Sequence, residues 1–159
     1  MKNVFFVLLT MATGFTAMAQ NTDELAQLRQ IFGQEKKDII KQFLNLNDAD
    51  AAKFWPIYDE YTASRKSLAD DRIAIIKDYG NQYATLTDAQ AKSIGDRYFK
   101  NESSILKLQE KYYKKISKDV SPLKALQFMQ AEVYLQTQIR ASVQDEIPFI
   151  GEYDKTKKH

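Results

Sequence analysis

Residues 46–90 read LNDADAAKFWPIYDEYTASRKSLADDRIAIIKDYGNQYATLTDAQ, and this stretch decides the fold. Its ends echo each other: Leu46-Asn47-Asp48 and Leu86-Thr87-Asp88 stand 40 residues apart. Between them Phe54, Tyr58, Tyr61, Leu68, Ile75 and Tyr79 recur at spacings of three, four and seven, which is one apolar face of a helix. Each end carries the chemistry of a helix start. Asn47 supplies a capping side chain and Asp48 and Asp50 supply first-turn carboxylates. Thr87 and Gln90 form a capping box, in which each side chain satisfies the other residue's backbone N–H. A helix from Asp48 to about Tyr83 would be roughly 50 Å long at 1.5 Å per residue. Pro56 falls about two turns inside it, where the ring removes a hydrogen bond and crowds the carbonyl of Ala52. Either the helix kinks there, or a capped turn at 47–54 precedes a fresh helix opening at Pro56.

The same spacing extends outward. Leu25, Leu28, Phe32, Ile39 and Phe43 form an earlier stripe that Asp23 can open. Ile94, Tyr98, Ile105, Leu108, Tyr112 and Ile116 form a third. Leu126, Met129, Val133, Leu135, Ile139 and Val143 form a fourth, started by Ser121 as N-cap and Pro122 in the first turn. Beyond residue 19 only Gly33, Gly80, Gly95 and Gly151 and three prolines punctuate the chain, too few for a many-stranded sheet. The expected fold is all-α: about four long antiparallel helices in an elongated, bent hairpin or bundle arrangement. The helical domain should cover 20–143. The tail, 144–159, is expected to be partly docked or disordered: Ile147, Pro148, Phe149 and Ile150 could dock on the bundle as an extended segment, and the last six residues are expected to stay mobile.

The first nineteen residues read as a secretory signal. Lys2 gives the positive start, Val4 to Met11 the apolar run, and Ala17-Met18-Ala19 the small-x-small pattern accepted before Gln20. The apolar run is well short of the roughly 20 residues that span a bilayer, so cleavage after Ala19 is expected, with no stable membrane insertion. No Cys follows the cleavage site, so the product is not a lipoprotein. In a diderm bacterium its place is the periplasm, where no ATP is at hand. The leader takes Lys2 with it, so the net charge falls from +2 to +1 and predicts no partner by itself.

With no Cys and a single His at position 159, thiol catalysis, Cys/His zinc sites, Glu-x-x-His di-metal sites and histidine triads lack their raw material. Asp59, Glu60, Asp70 and Asp71 read as a solvated helix face, and no loop has EF-hand spacing. No catalytic, cofactor or metal site is therefore expected. Lys100, Lys107, Lys111, Lys114 and Lys118 make a basic stripe on the third helical segment, of which Lys107, Lys111 and Lys114 are the candidate contacts for acidic protein segments. Nucleic acid would ask for more Arg and a higher net charge. Phe54-Trp55-Pro56-Ile57-Tyr58 carries more apolar surface than one stripe absorbs, and Tyr112-Tyr113 adds a second cluster. Trp55 and Tyr113, each beside a stripe position, are the expected exposed or interfacial members.

Leu86, Thr87 and Gln90 spell Leu-Thr-x-x-Gln, and Leu46, Asn47 and Asp50 a variant of it. Behind a signal sequence, in a Cys-free helical chain, these residues resemble the Spy/CpxP family of periplasmic helical proteins, known for LTxxQ motifs, over about residues 40–143. The chain departs from that pattern at Asn47 and Asp50 and in its muted Met, Gln and basic content, so it resembles a divergent member. The resemblance implies an antiparallel homodimer of bent helices acting as an ATP-independent chaperone for unfolded or partly folded exported proteins. It also implies an alternative, a regulatory partner of an envelope sensor protein in a stress or metal response. A structural subunit, or an enzyme using carboxylates alone, is the third reading. Physically, Leu46 and Leu86 precede an N-cap and can staple back onto the helix that follows, which makes the motif a folding device.

Overall fold

Capping chemistry sets where each helix begins and ends. The computed structural model describes residues 35–146, with side chains as far as residue 141. Residues 35–44 are helical (α1), followed by α2 (Asp48–Gln82), α3 (Asp88–Asp119) and α4 (Pro122–Glu146), with no strand among the described residues. The fold class is all-α. The chain divides into two units, Met1–Ile39 and Ile40–His159. Of the first, only residues 35–39 are described, all helical. The packing below belongs to the second. The leader, the expected start at Asp23 and the segment Ile147 to Ile150 lie outside the described residues.

Asn45 follows α1 with φ 40°, a left-handed conformation that Asn tolerates, and its N–H reaches Lys41 O at 3.1 Å to close the helix. Asn47 then caps α2, its Oδ1 accepting from Asp50 N at 2.8 Å. At the start of α3 the capping box forms: Thr87 Oγ1 accepts from Gln90 N at 3.3 Å, and Gln90 Oε1 accepts from Thr87 N at 2.9 Å. Gln90 Nε2 also donates to Gln82 Oε1 at 2.6 Å, tying the first turn of α3 to the last residue of α2. Ser121 Oγ accepts from Lys124 N at 3.1 Å and caps α4. The links at 83–87 and 120–121 are short, so α2, α3 and α4 pack as antiparallel neighbours.

Pro56 lies inside α2, which runs unbroken from Asp48 and does not start afresh at the ring. The Ala52 carbonyl loses its usual donor. Pro56 and Ala52 are both exposed, so water can serve that carbonyl.

The core is aromatic at one end. Phe128 of α4 is wholly buried, with its ring centroid 5.6 Å from Phe54, 6.0 Å from Tyr58 and 5.3 Å from Tyr61, all edge-on. Tyr61 meets Tyr112 of α3 at 5.4 Å, and Ile40, Leu44 and Ile116 join the same cluster. Towards the other end the α2–α3 seam turns polar. Arg72 Nε donates to Asn101 Oδ1 at 3.1 Å, Asn101 Nδ2 donates to Leu68 O at 2.9 Å, and Arg72 pairs with Glu102 while lying 4.3 Å over the Tyr98 ring. Arg140 of α4 reaches the same Glu102 at 3.1 Å, so one carboxylate ties three helices together.

Two apolar stripes differ from the sequence reading by about one residue. In α1 the buried pair is Ile40 and Leu44, while Ile39 and Phe43 stay exposed. In α4 the buried positions are Ala125, Phe128, Ala131 and Glu132, while Leu126, Val133 and Ile139 stay exposed. One residue is a rotation of about 100°. Both segments are apolar on more than one face, so periodicity alone does not choose between faces. Packing chooses: α4 turns to seat Phe128 among three rings of α2 and to bring Glu132 to Tyr61.

Candidate functional site

That rotation of α4 leaves an apolar stripe without cover among the described residues. Leu126 and Val133 share a face seven residues apart, flanked by Leu123 and Tyr134, and each is more than half exposed. Opposite Val133, α3 presents Phe99 and Leu106, 72% and 67% exposed and also seven residues apart. Between these helices lies an open groove of about 490 Å³. Phe99, Ser103 and Leu106 form its α3 wall, and Val133, Thr137 and Arg140 its α4 wall. Large exposed apolar side chains gathered in one concave place mark a binding surface more than a solvated face.

The groove has a basic margin. Lys100 and Lys107 stand three residues before and four after Ser103, so both lie on the helix face beside that wall. Lys111, Lys114 and Lys118 continue the row, and all five are exposed. Lys114 pairs with Glu110, and its ammonium holds that carboxyl below the usual carboxylate range. Lys111 sits 5.2 Å from the Tyr112 ring centroid. Among the described residues neither Lys107 nor Lys111 has an acidic partner. Glu102, the one acid in the lining, is already paired with Arg72 and Arg140. The charge facing an incoming segment is therefore positive.

The structure places the other expected contacts elsewhere. Trp55 and Tyr113 are half-buried against the core cluster, and Trp55 packs edge-on to Phe54 at 5.1 Å and to Tyr58 at 5.5 Å. Neither lines the groove. Leu46 is half-buried against the same cluster and Leu86 is half-buried at the α2–α3 link. Asn47, Asp50, Thr87 and Gln90 act on helix ends. The groove residues were visible in part: Phe99 and Leu106 are apolar residues of α3 that fall outside the Ile94–Ile116 stripe.

The buried titratable groups are structural. Tyr61 Oη donates to Glu132 Oε2 at 2.8 Å and Gln136 Nε2 donates to the same oxygen at 3.1 Å. Burial, and then the charge of Glu132, push the Tyr58 and Tyr61 phenols far above their ordinary value, so they remain hydrogen-bond donors. Both Tyr61 and Glu132 are fully enclosed, which leaves a substrate no path to them. Among the described residues no three acidic or histidine side chains gather to hold a metal ion, and no helix is long and apolar enough to cross a membrane. No protein-family model matches the chain, and neither a curated protein nor a solved structure does.

Proposed function

We propose that this chain is an exported, ATP-independent chaperone-like protein that binds unfolded or partly folded exported proteins in the α3–α4 groove. The observation that carries the reading is the open groove itself, in which Phe99, Leu106 and Val133 stay exposed beside a row of lysines. Unfolded chains present apolar side chains among charges of both signs. The lysines favour approach of acidic stretches, and the groove holds apolar side chains by burial worth about 25 cal/mol per Å². Such contacts are loose and need no nucleotide. The leader at 1–19 supplies export, and the LTxxQ-like motifs at Leu46 and Leu86 add the resemblance to Spy/CpxP proteins, which carries with it the expectation of a homodimer.

The test is light scattering from a chemically denatured client diluted into buffer without ATP. Stoichiometric protein should suppress aggregation at low salt, and Leu106→Asp combined with Val133→Asp should abolish the suppression while helical content is unchanged. No suppression by the unsubstituted protein in low salt would remove the proposal.

A further inference from the structure

The groove read above as a client site also restricts the form of what it holds. We infer that its partner is an amphipathic helix with one acidic flank, which lies between α3 and α4 in preference to any extended peptide. The inference rests on that client-binding reading for the site and adds the class of segment bound.

Spacing is the first argument. Phe99 and Leu106 of the α3 wall stand seven residues apart, and so do Leu126 and Val133 on the exposed face of α4. Seven helical residues advance about 10.5 Å, the interval at which a partner helix presents the same heptad position. Same-face side chains of an extended chain recur at about 6.6 Å and fall out of step with these pairs. The α3 wall from Phe99 to Gln109 is about 15 Å long, nearly three helical turns. Backbone chemistry is the second argument. Both walls are helices, whose N–H and C=O groups bond within the helix, and no strand edge occurs among the described residues. An extended segment would press its own N–H and C=O groups against Phe99, Leu106 and Val133 without partners, whereas a helix arrives with those bonds made.

Charge is the third argument, and it makes the two flanks of the partner unlike. Lys100 and Lys107 each follow a groove residue, Phe99 and Leu106, by one position, a rotation of about 100°. Glu102 and Gln109 turn the other way, towards α4, where Glu102 meets Arg140. The two lysines thus line the flank of α3 away from α4, exposed and spaced like the apolar pair. On α4 no exposed residue from Pro122 to Ile139 is charged: Lys124 donates to Leu44 O at 2.6 Å, and Glu132 is buried. A helix with carboxylates at heptad spacing on one flank and uncharged side chains on the other matches both walls in one rotational setting.

Fluorescence anisotropy on the full chain, with labelled peptides of about three heptads, tests the inference. One peptide places leucine at the first and fourth positions of each heptad, with glutamate on one flank and glutamine on the other. Its isomer has the same composition with leucines at alternate positions, so its apolar face forms only in an extended chain. The helical peptide should bind about tenfold or more tightly than the isomer and gain helical circular dichroism on binding. Lys100→Gln with Lys107→Gln should weaken it about three- to tenfold at low salt and leave a version with glutamine on both flanks unchanged. Leu106→Asp with Val133→Asp should abolish binding while the helical content of the protein is unchanged. Equal affinity for the two isomers, binding without a gain of helix, or binding retained by the double aspartate variant would each overturn the inference. So would a dimer in sedimentation that the double aspartate variant dissociates and the peptide does not, since a second copy then fills the groove. Aggregation suppressed with equal affinity for both isomers removes this inference and leaves the chaperone reading. Selective binding of the helical peptide without suppression supports the inference and removes the chaperone reading.

Discussion

Glu132 is a carboxylate inside an aromatic core, and burial of such a group is costly unless hydrogen bonds compensate it. Tyr61 and Gln136 both donate to its Oε2. Tyr61 is thus half of a buried donor–acceptor pair as well as a packing ring. The pair makes stability depend on pH in a definite direction. In the unfolded chain a tyrosine loses its proton near pH 10. In the folded chain burial and the neighbouring Glu132 keep the Tyr58 and Tyr61 protons on well beyond that. Their contribution is therefore complete below about pH 10 and declines above it, because the unfolded state then sheds protons that the folded state keeps, by about 1.4 kcal/mol per pH unit for each tyrosine. Tyr61→Phe should cost about 1–3 kcal/mol at neutral pH, since Glu132 loses a donor. It should also remove the Tyr61 share of the alkaline fall in stability, about 1.4 kcal/mol per pH unit above pH 10. Urea midpoints measured on both sides of pH 10 read the two effects separately, and an unchanged alkaline slope would show that Tyr61 ionises freely. Nothing in the sequence marks Glu132 as buried, because its partner Tyr61 lies 71 positions away on another helix.

At the scale of elements, the helix ends were legible because they are local chemistry. As caps, the side chains of Asn47, Thr87, Gln90 and Ser121 bond backbone N–H groups three residues away, so sequence contains all the information that capping uses. The buried face of α4 was not legible, since Leu126 and Phe128 are both large and apolar and only the rings of α2 decide which turns inward. Pro56 lies between these cases. Its penalty is local, but whether the helix tolerates it depends on what Phe54, Tyr58 and Tyr61 gain by staying on one continuous face. Those three residues are at most 2% exposed, enough apolar burial on both sides of the ring to hold α2 together across the missing bond. Pro56→Ala should therefore restore the Ala52 hydrogen bond without moving the core. The expected gain is about 1–2 kcal/mol, the helical cost of proline less the entropy that proline removes from the unfolded chain. A higher urea midpoint with an unchanged denaturant slope is the expected result. A lower midpoint would mean that the ring fixes a bend the core requires.

For the whole molecule, net charge says almost nothing, because +2 conceals how the charges are distributed. Acidic groups along the α2–α3 seam are spent on pairing: Glu60 with Lys115, Asp78 with Arg97 and Glu102 with two arginines. Lys107 and Lys111 are left facing solvent beside the groove, so the field that an approaching chain meets there is positive although the sum is near zero. If the groove binds clients as proposed, the two surfaces should control different rates. Charges at a margin steer encounter and set its salt dependence, whereas apolar contact sets how long the complex lasts. Lys107→Gln with Lys111→Gln should slow association with an acidic unfolded client by about three- to tenfold at low salt and flatten its salt dependence, with dissociation unchanged. Leu106→Ser should do the reverse, speeding dissociation with little effect on association. Stopped-flow fluorescence on a labelled client separates the two constants. If both variants changed the same rate constant, the lysine row and the groove would be one contact surface, and the division of labour between charge and apolar burial would have to be abandoned.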